Sequence, residues 1–176
     1  IISVTKVLDI AISKPQLINW AAGQAADYIA ETLKPGIAYD EIEIQALADA
    51  ARKAHWIRKT DAGQVGTLVH QWLSRYITGQ NPTPLIHEQA RKVTERFIKW
   101  VEENKIKFLL SEQVCYSRSF NYCGTLDFIC KIDGKLWLGD IKTSKAIYRE
   151  SHGAQMASYK MARTEEFPSE VYAGCI

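Results

Sequence analysis

Residues 122–143 read YCGTLDFICKIDGKLWLGDIKT, and they are the most informative stretch of the chain for the fold. Two runs rich in aromatic and β-branched residues flank Asp133-Gly134, which is the strongest short-range signal for a β-hairpin and suits a type I′ turn. A two-residue loop sets the register of the strands, so that Asp127 faces Asp140. The pattern therefore predicts an antiparallel pair of strands that carries two opposed carboxylates.

Two opposed carboxylates in the middle of a sheet repel each other unless a shared proton, exposure to solvent or a divalent cation offsets the repulsion. Lys142 is predicted on the same face as the pair, opposite Thr125. Ile129 and Leu138 flank the pair on that face, and charged groups among apolar neighbours are costly unless they have a function. The other face is predicted to pack through Leu126, Phe128, Trp137 and Ile141.

The pattern changes near residue 105. Before it the apolar spacing is helical, and after it the runs are short and strand-like. This order predicts one α/β (α+β) domain, 1–176, in which a mainly helical part, 1–105, lies on a mixed central sheet with flanking helices. The β-β-β-α-β core spans 106–176. Beyond the hairpin, the predicted elements are helices from about Pro15, from Asp40, over 64–77, 84–103 and 151–165, and strands over 108–117 and 171–176.

The first two helices have local start and stop signals and apolar faces. Lys34-Pro35-Gly36 ends the first helix, and Asp40 is a candidate cap for the second. Periodic apolar positions predict a buried face on each helix. The predicted inward residues are Leu17, Ile18, Ala21, Ala25, Tyr28 and Ile29 in the first helix and Ile42, Leu47, Ala50 and Ala54 in the second.

The composition is that of an ordinary globular protein. The 176 residues are 47% apolar and 24% charged, and no apolar run is long enough to span a bilayer, which argues against a disordered, fibrous or integral membrane protein. The net charge of +2 neither requires nor excludes nucleic acid. The sequence has no P-loop, G-x-S-x-G or H-E-x-x-H motif and no C-x-x-C pair. Four cysteines are predicted to be reduced thiols, namely Cys115, Cys123, Cys130 and Cys175.

Four short motifs together resemble the PD-(D/E)XK nuclease superfamily. They are Gly66-x-x-x-His70, Gly124-Thr125-Leu126-Asp127, Asp140-Ile141-Lys142-Thr143-Ser144 and Gln155-x-x-x-Tyr159. Within the superfamily the chain is similar to the RecB-like exonuclease branch, which includes phage exonucleases, CRISPR-associated adaptation nucleases and the mitochondrial genome maintenance exonuclease. The similarity covers about residues 63–159, and it implies a restriction-endonuclease-like core.

The resemblance implies a metal-dependent active site. Asp127 and Asp140 would bind Mg²⁺ or Mn²⁺, with the main-chain carbonyl of Ile141 and the His70 side chain as further ligands. Lys142 would orient the attacking water or stabilise charge on the phosphate.

Further roles follow from the same resemblance. Glu112 stands where relatives place a third acidic residue, although an exposed strand glutamate explains it equally well. Gln155, Tyr159, Thr143 and Ser144 would contact the substrate. Some relatives hold an iron–sulfur cluster, but three cysteines of this chain lie in the catalytic strands, so no cluster is predicted.

Two groups of basic residues are candidates for contacts with DNA. The first surrounds Trp56, although a solvated helix face explains it nearly as well, and the second surrounds the catalytic strand. The first group comprises Arg52, Lys53, His55, Arg58 and Lys59, and the second comprises Lys145, Arg149, Lys160 and Arg163.

The sequence therefore predicts a metal-dependent DNA exonuclease that prefers single-stranded ends, in recombination, repair or replication. A recombinase, a helicase or a single-strand-binding protein would be its partner, and no membrane is involved. A cytoplasmic location, in a bacterial cell or a phage-infected host, is expected. The chain starts at Ile1, so a missing upstream segment would also allow an organellar location. The alternatives are a structure-specific or restriction-type endonuclease, a catalytically silent DNA-binding module, and a metal-dependent hydrolase of small molecules.

Overall fold

A computed structural model describes residues 1–144 and 146–176, and it confirms a mixed α/β fold. Within these residues, four consecutive helices precede three consecutive strands, and a two-residue strand and a short helix precede the elements that the sequence predicts. In chain order the described elements are β1 (Ile2–Ser3), α1 (Val4–Ala11), α2 (Gln16–Thr32), α3 (Glu41–Ile77), α4 (Glu88–Glu103), β2 (Lys107–Ser117), β3 (Tyr122–Ile132), β4 (Lys135–Gly139), α5 (Arg149–Glu166) and β5 (Tyr172–Cys175).

The strands form one mixed sheet in which β3 is central. β2 and β4 pair with β3 in antiparallel orientation, whereas β1 runs parallel to β3 and β5 parallel to β4. β1 pairs with Tyr122 and Cys123, and because β2 also pairs with these residues, β1 lies on the other edge of β3. β4 pairs further along, with residues 128–132. Asp127 therefore lies between the segments of β3 that pair with β1 and with β4.

The structure confirms the predicted hairpin turn and its register. Ile132 pairs with Lys135, and the pairing continues in the predicted register to the end of β4. Asp133 and Gly134 have φ angles of 49° and 77°. A type I′ turn requires positive φ at both central residues, and this requirement explains why Asp-Gly occupies the loop.

The predicted length of the second hairpin strand is wrong. β4 ends at Gly139, whereas the sequence pattern predicts a strand to Thr143. The reason is that the Ile141 amide donates to Asp127 Oδ2 at 2.5 Å, so a side chain takes a donor that a longer ladder would use. Asp127 and Asp140 are consequently not a paired position of the ladder, although the chain folds them towards each other.

Helices cover both faces of the sheet. One apolar cluster joins the sheet to α1 and α5, and its members include Val4, Leu126, Ile129, Leu138 and Tyr159. On the other face, α4 and the end of α3 pack against a mainly aromatic cluster that includes Phe97, Trp100, Phe108, Phe128 and Trp137.

The prediction that Leu126 shares a face with Phe128 is wrong. The two side chains belong to opposite clusters, so the alternation of β3 breaks at Asp127, between them. Glu112 of β2 stands opposite Asp127 in the register and has a φ angle of 50°. A left-handed residue disrupts the local ladder, and such irregularities change the direction of side chains and are common beside functional sites.

The prediction of two separate helices after Asp40 is wrong, whereas the predicted helix start at Asp40 is confirmed. Asp40 and Glu43 form the expected start of α3, because Asp40 Oδ1 accepts from the Glu43 amide at 2.8 Å and Glu43 Oε2 accepts from the Asp40 amide at 2.9 Å. The two helices predicted after Asp40, however, are the single helix α3, since isolated glycines lower helix propensity without ending a helix. Within the described residues, no helix combines the length and apolar character that a membrane crossing needs.

The chain divides into two compact units, 1–12 with 65–176 and 13–64. The first, the sheet unit, contains every strand described above. In the second, the helical unit, α2 has no buried residue among those described. Its predicted inward residues Leu17 and Ile18 are 50% and 74% exposed, so the expectation of a buried face is wrong there. In α3 the prediction of inward residues is confirmed for Ala54, which is buried, and wrong for Ile42, which is 79% exposed.

Candidate active site

The residues that the sequence singles out meet where β3 and β4 part. Asp127 lies on β3 just before the segment paired with β4, and Asp140 directly follows β4. The hydrogen bond from the Ile141 amide to Asp127 Oδ2 connects the segment after β4 to β3. The end of β4 thus places both carboxylates at the point where β3 and β4 diverge.

The helix α3 brings His70 to the same place. His70 Nδ1 lies 3.0 Å from Asp127 Oδ1. One turn earlier, a Cβ on Gly66 would lie only 3.3 Å from Thr143 Oγ1, so glycine lets the helix approach the segment after Asp140 closely. The G-x-x-x-H spacing therefore has a physical reason, because residues four apart share one helix face.

The proton of His70 is held by this contact. The hydrogen bond to Asp127 raises the pKa of His70 above its ordinary value, and burial opposes this effect. The side chain of His70 is 37% exposed and that of Asp127 is 19% exposed. A cation that binds either side chain must compete with their mutual hydrogen bond.

Asp140 is the most enclosed acidic side chain of the site, with 7% of it exposed. The Lys142 ammonium forms an ion pair with Oδ2, and Gln155 Nε2 donates to Oδ1 at 3.4 Å. Burial raises the pKa of the Asp140 carboxyl, Lys142 lowers it, and the charge of Asp127 raises it. The site thus holds a carboxylate in surroundings that disfavour its charge.

The donor set of the site fits a hard divalent cation. Oxygen ligands suit Mg²⁺ and Mn²⁺, and Asp140 Oδ2 is buried with the Lys142 ammonium as its ion-pair partner, so a cation at this oxygen would share or displace that contact. No three His, Cys, Asp or Glu side chains of the described chain already form a metal-binding group. Both oxygens of Asp127 have partners, since Oδ1 contacts His70 and Oδ2 accepts from the Ile141 amide. Metal binding through Asp127 Oδ1 would therefore replace the His70 contact.

The other predicted site residues differ in what their side chains and main-chain groups contact. Glu112 is exposed and stands opposite Asp127 on the neighbouring strand. Ser144 Oγ donates to the Ala146 carbonyl at 2.8 Å, a local contact between residues two apart. The Ile141 amide is bound to Asp127, and the role of its carbonyl as a ligand stays a prediction.

Gln155 and Tyr159 are buried rather than presented to solvent. They are 7% and 2% exposed, and Gln155 Nε2 donates to the Tyr159 hydroxyl at 2.8 Å. The tyrosine ring fills the space beside Gly124, where a Cβ would lie 2.3 Å from Tyr159 Cε1. Sequence reasoning missed this contact, although a glycine inside a strand signals the close approach of another group.

The predicted basic groups are only partly available for DNA. Arg163 is buried, forms an ion pair with Glu170 at 2.7 Å and donates to the Tyr172 hydroxyl, so the prediction that it lines a DNA groove is wrong. The compensation of a buried charge explains this placement. Lys145 lies outside the described residues.

The basic group around Trp56 belongs to the helical unit. Arg52 and Arg58 form exposed ion pairs with Asp49 and Glu31. These carboxylates partly neutralise the two arginines and so weaken their attraction for a phosphate. Trp56 is 61% exposed, and Lys59 Nζ lies 5.5 Å from the centre of its ring. An exposed indole beside an ammonium is a surface on which a nucleic-acid base can stack.

The sequence matches no known family model, and it has no significant match among curated proteins. The function is therefore inferred from the geometry and chemistry of the site.

Proposed function

We propose that this chain is a metal-dependent nuclease that hydrolyses DNA phosphodiester bonds, as an exonuclease that prefers single-stranded ends. The observation that supports it most is the buried Asp140 carboxylate, which lies between Lys142 and Gln155 and close to the pair of Asp127 and His70. A carboxylate with a raised pKa beside a lysine is costly for the fold, and such groups cluster at functional sites.

The roles of the residues follow from their chemistry. Asp127, Asp140 and His70 would hold Mg²⁺ or Mn²⁺, with Glu112 as a further carboxylate. The cation, when bound, supplies Lewis-acid activation of water and phosphate. Lys142 is a cation beside Asp140, and it would orient the attacking water or offset the charge that grows on the phosphate.

The proposed substrate preference rests on the exposed aromatic and basic side chains. Trp56 and Lys59 offer a stacking surface, and stacking favours unpaired bases over a rigid duplex. In recombination, repair or replication, single-stranded ends would come from a helicase, a recombinase or a single-strand-binding protein.

The first test measures cleavage of labelled DNA with Mg²⁺, Mn²⁺ or EDTA. We expect wild-type cleavage with either cation and none with EDTA. Asp140→Asn should bind DNA but cleave it negligibly, because one ligand charge is lost while the basic side chains remain. The matched control is Asp61→Asn on the exposed surface of α3, which should cleave normally. Undiminished cleavage by Asp140→Asn would refute the site.

The metal-free stability of Asp140→Asn shows whether this variant folds. The raised pKa means that the ionised carboxylate destabilises the fold above that pKa, so the neutral amide should leave the Tm equal or higher. A clear loss of Tm would mean that missing cleavage reflects misfolding.

A second variant separates metal binding from chemistry. Lys142→Ala should lower turnover by roughly 10²–10³-fold while metal affinity stays similar, since the lysine acts on water and phosphate. The control is Lys131→Ala, an exposed lysine on β3. If metal binding collapsed and turnover per bound metal stayed normal, the role of Lys142 would be wrong.

The need for a free end is tested with linear and circular single strands of one sequence. An exonuclease should degrade the linear form and spare the circle. Equal degradation of both would favour the endonuclease alternative. DNA binding without any cleavage would favour the catalytically silent module.

A further inference from the structure

The side chain of Gln155 joins Asp140 to a tyrosine deep in the core. Its Nε2 donates to Asp140 Oδ1 at 3.4 Å and to the Tyr159 hydroxyl at 2.8 Å. An amide nitrogen has two hydrogens, so these two contacts use both donors. An ionised carboxylate only accepts hydrogen bonds, and this fixes which end of the amide faces Asp140.

The position of the Tyr159 ring is fixed by its packing in the core. Tyr159 is 2% exposed, belongs to the cluster that joins α5 to the sheet, and lies against Gly124 of β3. Gly124 pairs with Cys115 of β2, so its position is set by the sheet ladder. Because a Cβ on residue 124 would lie 2.3 Å from the ring, only glycine lets the ring occupy this position.

We propose that Gly124, Tyr159 and Gln155 form a positioning chain that orients the Asp140 carboxylate for metal binding and does not contact the substrate. The contact with Gly124 fixes the position of the Tyr159 ring and therefore of its hydroxyl. The hydroxyl fixes the orientation of the Gln155 amide, and the amide in turn fixes the position of Asp140 Oδ1. The other oxygen, Oδ2, is buried and forms the ion pair with Lys142. The burial of Gln155 and Tyr159 supports this role over the substrate contact that the resemblance implies.

The proposal rests on the proposed function in one respect, that Asp140 is a metal ligand. Groups that hydrogen-bond to a metal ligand typically contribute about 10–100-fold to metal affinity. Gln155→Leu should therefore weaken Mn²⁺ binding by an amount in that range. Tyr159→Phe keeps the ring on Gly124 and removes one hydrogen bond, and roughly 5-fold weaker binding is expected.

The experiment titrates Mn²⁺ into folded, DNA-free protein by calorimetry and then measures the KM for single-stranded DNA at saturating Mn²⁺. The matched control is Tyr122→Phe. Tyr122 is buried in the same cluster, and its hydroxyl donates to the Ser158 carbonyl of α5 at 2.8 Å. We expect weaker Mn²⁺ binding and an unchanged KM for Tyr159→Phe, and wild-type values of both for Tyr122→Phe.

A backbone variant tests the other end of the chain. Gly124→Ala should displace the Tyr159 ring and weaken Mn²⁺ binding more than Tyr159→Phe does. Gly174→Ala is the control, because its Cβ would meet the Trp137 ring at 2.7 Å, outside the chain of contacts. Circular dichroism and Tm show that each variant is folded before Mn²⁺ is added.

Each outcome decides between the proposals. An unchanged Mn²⁺ affinity with a raised KM in Tyr159→Phe would mean substrate contact, and equal losses in Tyr122→Phe or Gly174→Ala would mean a general packing effect. Either result overturns the positioning chain. Wild-type protein that binds no Mn²⁺ would overturn both proposals. Mn²⁺ binding without DNA cleavage would overturn only the nuclease.

Discussion

Different interactions stabilise the sheet unit and the helical unit of this chain, each within itself. In the sheet unit, side chains from both helical layers meet a central strand, and Leu73, Leu126 and Leu138 are completely buried. In the helical unit, 13–64, the buried residues among those described are Ala51 and Ala54. Alanine buries little area, so the hydrophobic contribution to stability is much smaller there.

The helical unit depends instead on local interactions. The capping box at Asp40 satisfies donors at the start of α3, and ion pairs such as that of Arg52 with Asp49 lie on exposed surface. Exposed ion pairs contribute about 0–1 kcal/mol each. The difference teaches that an amphipathic pattern predicts a helix but does not by itself show how much of its apolar face is buried.

The largest expected effect compares one aromatic residue from each unit. Phe128 is 2% exposed, and its ring lies 5.3 Å from that of Phe108, so Phe128→Ala should lower the free energy of unfolding by about 3–5 kcal/mol. Trp56 is 61% exposed, and Trp56→Ala should change the free energy of unfolding by less than about 0.5 kcal/mol. Urea unfolding followed by circular dichroism measures both. Similar losses would show that the helical unit is packed more tightly than its burial indicates.

A smaller effect is expected at the start of α3. Asp40→Ala removes the side chain that accepts from the Glu43 amide, and the loss of such a cap costs about 1 kcal/mol. The amides of the first turn should then exchange faster with solvent deuterium. Asp49→Ala is the control, because it removes only exposed side-chain contacts, an ion pair with Arg52 and a hydrogen bond from Gln45. Equal exchange in the two variants would argue against a local origin of helical-unit stability.

The smallest effect is a pH dependence at His70. Its pKa is raised in the folded state, so it stabilises the protein fully below its ordinary pKa of 6.5, and this contribution is lost as the pH rises through the raised value. Wild type should exceed His70→Gln in Tm at about pH 5.5, and the difference should shrink above neutral pH. With 37% of the side chain exposed, at most about 1 kcal/mol is expected.

The control for this pH dependence uses Asp127→Asn, which removes the carboxylate that raises the pKa of His70. In that background, His70→Gln should no longer lower the Tm more at about pH 5.5 than above neutral pH. A pH-independent difference between wild type and His70→Gln would mean that the contact with Asp127 does not depend on the His70 proton.

Particular residues show how much of the fold and the site could be predicted. Asp133-Gly134 predicted the turn and the register, because only a few residue pairs tolerate positive φ at both positions. The motifs pointed to Asp127, Asp140, Lys142 and His70, and the structure brings these four side chains together. The break of alternation at Leu126 could not be predicted, since it accompanies a left-handed residue on another strand.

The amino-acid sequence by itself determined the local features of this protein: the hairpin turn, the cap of α3, the strand-rich second half, and the residue types of the site. Tertiary structure decided which of those features are buried, and it turned Arg163 into an internal ion pair and left Leu17 and Ile18 exposed. It also decided that the Tyr159 ring packs against Gly124 and that His70 contacts Asp127. The physical reason is range, because turns and caps are set by neighbours a few residues apart, whereas burial and charge pairing depend on residues that only folding brings together.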